Sequence, residues 1–124
     1  MEEIMNEVVI NGVVYVPKGS QVIPAETYEG MKYQIVRTYS AGVFAGYVES
    51  RNGQEVVMRN VRRIWYWEGA ASLSQLAVEG TMKPDSCKFA VAVDRIEVLQ
   101  AIELLDCTEV AKKSIEGVKK WKIK

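Results

Sequence analysis

Between Arg59 and Gln75 the chain gathers its densest supply of ligand-binding side chains. Arg59, Arg62 and Arg63 are followed by Trp65, Tyr66 and Trp67, then by Gly69-Ala70-Ala71-Ser72 and a helix start. A guanidinium presents a rigid fork of N–H donors suited to phosphate. Indole and phenol rings offer flat faces on which a base stacks, each worth roughly 1–3 kcal/mol. A Gly-Ala-Ala turn lets backbone approach a ligand closely, and the first N–H groups of the helix behind it favour an anion. On side-chain type, Arg59, Arg62, Arg63, Trp65, Trp67, Gly69, Ala70, Ala71, Ser72 and Ser74 are candidates for a phosphate-and-base pocket, with Phe89 as a further aromatic. The same residues also suit a fold with no ligand. Tryptophans anchor cores and interfaces, Ser72 with Gln75 has capping spacing, and Glu49, Glu55 and Glu68 are close enough in sequence to pair with the arginines.

The chemistry that is missing points toward binding rather than catalysis. The chain has no histidine, which removes the commonest general base and metal ligand. No Cys/His cluster offers a zinc site, no acidic run has the spacing of a calcium loop, and neither glycine-rich phosphate fingerprint occurs. No metal and no cofactor are therefore expected, and an enzyme is not. Catalysis by a carboxylate, lysine or tyrosine depends on tertiary proximity, so residue types leave it open.

Lys plus Arg number 16 against 16 Asp plus Glu, so the basic excess that tracks a phosphate backbone is lacking and long nucleic acid is not the expected partner. The start, Met1-Glu2-Glu3-Ile4-Met5, is acidic and does not read as a secretory signal. No apolar run approaches the ~20 residues of a membrane helix. Cys87 and Cys107 stand far apart and read as free, reduced thiols. The expected setting is cytoplasmic.

The elements that must position the arginine–tryptophan segment read as one α+β domain over residues 1–124, an antiparallel sheet built from hairpins with two helices. Val8-Val9-Ile10 and Val13 to Val16 flank Asn11-Gly12 as a tight hairpin, and residues 18 to 32 read as a connection. Val43–Ser50 and Glu55–Arg59 flank Asn52-Gly53; with that pair as the loop, Val48 faces Val57 and Gly46 faces Arg59. A strand continued to Trp67 sets Arg59, Arg63, Trp65 and Trp67 on one face and Arg62, Ile64 and Tyr66 on the other, unless a bulge swaps them. Ser72 and Gln75 open a short helix over about 73–80 that Gly80 ends. Lys88–Val93 reads as a strand. Ile96 to Asp106 is ambiguous: Ile96, Val98, Ile102 and Leu104 fit a period of two broken at Gln100, while other subsets fit a helix; it is read as a strand. Thr108 caps a helix over about 109–120 with Val110, Ile115 and Val118 on its apolar stripe, and the lysine-rich end reads as a solvated face that frays.

Several segments carry a resemblance: Tyr39-Ser40-Ala41-Gly42-Val43-Phe44-Ala45-Gly46-Tyr47, Ser50-Arg51-Asn52-Gly53, and above all Asn60 to Ala77, with Cys87-Lys88-Phe89 and Cys107-Thr108-Glu109 continuing it. In these the chain resembles a family of small phage proteins, the first-described Thoeris anti-defence family. The resemblance implies a sponge. Such proteins hold, without degrading it, a cyclic ADP-ribose isomer (glycocyclic ADP-ribose) made by a Toll/interleukin-receptor-type enzyme of bacterial Thoeris defence, and they work as homodimers or larger assemblies. A ligand near a subunit interface is then expected, with Gly42, Gly46 and the aromatic run as candidate contacts. The alternatives are a small nucleic-acid-binding or regulatory phage protein, drawing on the arginines and the lysine-rich end, and a structural phage component with no small ligand.

Overall fold

The computed structural model describes residues 23–123 and, as backbone, residues 8–10 and 13–15. β1 (Val8–Ile10) and β2 (Val13–Tyr15) pair antiparallel with Val9 opposite Val14, as the spacing predicts. The expected Asn11-Gly12 turn lies outside the described residues, as do Val16, Pro17 and Gly19. The rest runs β3 (Lys32–Thr38), β4 (Val43–Asn52), β5 (Glu55–Tyr66), α1 (Leu73–Glu79), a 3-10 turn (Pro84–Ser86), β6 (Lys88–Phe89), β7 (Val93–Val98), β8 (Ala101–Asp106) and α2 (Glu109–Gly117). This is the expected α+β arrangement, a six-stranded antiparallel sheet with two helices. Among the described residues no helix is long and apolar enough to cross a membrane.

β3, for which no element is read from the sequence, sits between β4 and β8. β4 and β5 form the expected hairpin one residue late: Asn52 pairs with Glu55, so the loop is Gly53-Gln54. Gly53 alone there has positive φ (+62°), the pattern of a II′ connection. Two bulges then shift the ladder. Val48 faces Met58 and Tyr47 faces Arg59, in place of the expected Val48–Val57 and Gly46–Arg59 pairs. The second bulge centres on Asn60, whose φ is +47°, opposite Gly46. A Cβ on Gly46 would stand 2.7 Å from the Val61 Cα, so only glycine lets the bulged strand lie that close.

The strand expected over Lys88–Val93 is broken. β6 is two residues long and pairs with the end of β5, while β7 starts at Val93 and pairs with the first half of β5. The expected strand over Ile96–Asp106 exists as the end of β7 plus β8, bent at Gln100, whose φ is +58°. β7 and β8 lie on opposite edges of the sheet, four strand spacings apart, which is ~19 Å if the sheet is flat. Three Cα steps from Val98 to Ala101 reach at most ~11 Å. The sheet therefore coils until its edges meet, and the Ala101 N–H donates to the Gln54 carbonyl across the hairpin tip (2.9 Å).

Coiling makes two cores. Val36, Phe44, Met58, Val98 and Ala101, from all five long strands, meet inside the coil. Tyr33, Ile35, Ala45, Ile64 and Phe89 face the other way, against Leu76 and Ala77 of α1, Ala111 and Ile115 of α2, and Val118 just after it. Both caps form as their residue types predict, Ser72 Oγ accepting from Gln75 N (3.1 Å) and Thr108 Oγ1 from Ala111 N (3.0 Å). α2 is shorter than expected. It ends at Gly117, Val110 is exposed rather than part of the stripe, and the chain beyond runs along β6 instead of fraying, with the Trp121 N–H donating to the Phe89 carbonyl (2.9 Å).

Both cysteines are free and buried. Burial pushes the Cys107 thiol from 9.0 up to about 12 and pushes the Tyr33 hydroxyl up as well. Both groups are held protonated in the fold, so their contribution is complete below their unfolded values and is lost as pH rises. The urea midpoint is expected to fall progressively from pH 9 toward pH 12. A midpoint constant across that window would show that water reaches both groups.

Candidate functional site

The arginine–tryptophan segment does not act as one patch. The bulge at Asn60 places Arg59 on the face of Arg62, away from Arg63, so the expected grouping of Arg59 with Arg63 is corrected by one extra residue. Arg59 is neutralised there by Glu49 (3.3 Å) and Asp94 (3.4 Å).

Arg62 turns inward and is only 6% exposed. Its Nε donates to the Ala90 carbonyl (2.9 Å), Nη1 to Ile115 (2.8 Å) and Val118 (2.9 Å), and Nη2 to Phe89 (3.0 Å). It therefore caps the C-terminal carbonyls of α2 and ties them to the β6 segment. Phe89 lies wholly buried beneath the guanidinium, 5.5 Å from ring centroid to carbon, and offers no face to a ligand. The Gly69-Ala70-Ala71 turn is likewise occupied by the chain itself. Gly69 has φ +86°, and the space where its Cβ would stand is filled by backbone of residues 82–83 and the Thr81 hydroxyl. Ala70 packs on the core and its carbonyl accepts from the Trp67 indole (3.2 Å). The Ala71 N–H donates to Gln75 Oε1 (2.7 Å) and the Gln75 N–H to Ser72 Oγ, so this helix start caps itself rather than presenting those donors to an anion. Ser74 is exposed on α1.

Arg63, Trp65 and Trp67 do come together. They form one wall of an open groove of about 460 Å³ whose other wall is the Ser40-Ala41-Gly42 turn between β3 and β4. That turn is stiff: Thr38 Oγ1 accepts from Ala41 N (2.8 Å) and donates to the Gly42 carbonyl (2.8 Å), and Ser40 Oγ reaches Gln100 Oε1 (3.1 Å). The Arg63 guanidinium lies 4.7 Å over the Phe44 ring, and among the described residues no carboxylate pairs with it. Trp65 is 63% exposed and stacks on Trp121 at 6.1 Å and 13°. The Lys88 ammonium sits 5.4 Å from the Trp121 ring. A preoriented cation beside an open indole is chemistry for a phosphate next to a flat base.

Arg63, Trp65 and Trp67 are neighbours, as their alternate spacing along the strand predicts, whereas of the facing turn only Gly42 is legible from residue type as a contact. Residue type does not single out Trp121, the single aromatic in the lysine-rich end, where its isolation was the available signal.

No curated protein and no solved structure matches the chain. A family model does match, over residues 31–115, from just before β3 into α2, so it covers the coiled sheet and the groove. By that match the chain belongs to the DUF6948 family, described as a domain of unknown function.

Proposed function

We propose that this is a phage anti-defence protein that binds and sequesters a cyclic ADP-ribose isomer, glycocyclic ADP-ribose, made by the Toll/interleukin-receptor-type enzyme of Thoeris defence in the bacterial cytoplasm, and releases it unchanged. The observation that carries the reading is the Arg63 guanidinium, which no carboxylate among the described residues pairs, held over the Phe44 ring beside the exposed Trp65. The resemblance of residues 60–77 to the sponge family supports it. A sponge must hold its signal below an effector threshold, which calls for nanomolar affinity, about −12 kcal/mol. One open groove encloses too little of a dinucleotide-sized ligand for that, so a homodimer or higher assembly, with the ligand near the interface, is part of the proposal.

The protein is incubated with the cyclic ADP-ribose isomer, freed of excess, and heat-denatured. Intact ligand in the supernatant in stoichiometric amount is expected, whereas a hydrolysed product assigns an enzyme. Arg63→Ala and Trp65→Ala are each expected to weaken capture by roughly 10- to 100-fold at unchanged melting temperature, while Arg59→Ala leaves it alone. Capture unaffected by either groove variant places the ligand elsewhere. Absence of capture together with salt-dependent binding to nucleic acid selects the regulatory alternative.

A further inference from the structure

A second cavity, of about 210 Å³, opens beside the C-terminal end of α2. Arg62 and Tyr33 line its deep side, Asn60, Glu116 and Lys120 its exposed rim, and Val118 gives an apolar wall. The two deep groups are more than nine-tenths buried, with Tyr33 only 3% exposed. A guanidinium has five N–H donors, and the carbonyls of Ala90, Ile115, Val118 and Phe89 take four of them, leaving one. Among the described residues the Tyr33 hydroxyl has no hydrogen-bond partner, and no carboxylate forms an ion pair with Arg62. Burial, and after it the field of Glu116, keep the Tyr33 hydroxyl protonated, so that it both donates and accepts. A cavity that holds a spare cationic donor, an unmet phenol, a carboxylate and an ammonium is a set of partners awaiting something that bridges them.

We propose that this cavity binds the adjacent hydroxyls of an uncharged, pentose-sized sugar. A hydroxyl donates one hydrogen bond and accepts others, so neighbouring hydroxyls satisfy Glu116 as donors while accepting from Arg62, Tyr33 and Lys120. A bare anion fits less well, because Glu116 stands at the same rim and the other guanidinium donors are committed to carbonyls. An apolar ligand leaves the deep groups unmet. The volume exceeds one water's share of the liquid, ~30 Å³, several-fold, so a single bridging water does not fill it. The site shares no residue with the Arg63 groove and stands or falls independently of the sequestration proposal.

The full chain, labelled with nitrogen-15, is titrated with D-ribose up to roughly 100 mM, the range required when a few hydrogen bonds act on so small a ligand. Saturable shifts are expected at the amides of Asn60, Ala92 and Val118, with the groove amides of Ala41 and Trp65 unmoved. Tyr33→Phe removes an unmet hydroxyl, so it is expected to keep or raise the melting temperature while weakening ribose about fivefold or more. Glu116→Gln, at the exposed rim, is expected to weaken ribose likewise and serves if the Tyr33 variant fails to fold. Shifts produced by inorganic phosphate but not by ribose, ribose affinity unchanged in a folded variant, or no saturable shift at all would each overturn the assignment.

Discussion

Arg62→Met is expected to lower the unfolding free energy by about 3–5 kcal/mol, the summed cost of leaving buried carbonyls without their charged donor. Four carbonyls lose their donor together: two at the C-terminal end of α2, Ile115 and Val118, and two around β6, Phe89 and Ala90. Methionine fills much of the same volume without supplying a donor, so the loss reports hydrogen bonds and charge rather than a void. Arg62→Lys is expected to recover only part of it. One ammonium reaches with three donors from a single point, whereas the guanidinium spreads five over a plane that spans the gap between helix and strand. Urea denaturation with constant slope is the measurement. An Arg62→Met midpoint equal to that of the wild type would show that water takes over these carbonyls freely.

The second large effect is at Phe89. Phe89→Ala is expected to cost about 3–5 kcal/mol, as a fully buried ring is exchanged for a cavity. Phe89→Leu is expected to cost less than ~1.5 kcal/mol if the neighbours repack, and to leave the proposed capture of the cyclic ADP-ribose isomer unchanged. The pair of variants separates two roles that residue type alone does not: a stacking platform loses ligand in both, whereas a core ring loses stability in the first and little in the second. Phe89 and Arg62 touch, so their losses are not expected to add.

What was legible in the sequence, and what was not, follows the range of the interactions involved. Ser72 with Gln75, Thr108 before α2, Gly80 after α1 and the β4–β5 hairpin act over four residues or so, and each appears within about a residue of its expected place. The β3 strand is bounded by turns at Glu29-Gly30 and Ser40 to Gly42, but Lys32 to Thr38 is held as a central strand by β4 on one side and by β8, more than sixty residues away, on the other. The split of the three arginines turned on one residue. A left-handed backbone at Asn60 reversed the faces, and what favours it there, the missing side chain of Gly46 across the ladder, is apparent only once the register is known. Phe89 and Arg62 were misjudged for a related reason. Aromatic and cationic side chains suit a ligand and a protein interior equally well by type, and which they serve depends on whether a helix end arrives to meet them. Arg63, Trp65 and Trp67 stay together because, among the described residues, no helix or strand covers their side of the strand end.

The strand that turns the corner at Gln100 has a consequence for how the molecule comes apart. Its first half closes one margin of the sheet and its second half the other, so neither margin opens while the chain between them stays threaded. Such an arrangement disfavours piecemeal fraying and makes the β7 and β8 amides exchange with solvent as a single unit, in the slowest class. It also orders assembly in time. The β4–β5 hairpin closes over a two-residue loop, an event of microseconds, whereas the corner strand must return to β3 across more than sixty residues, and this long-range closure is the slow step.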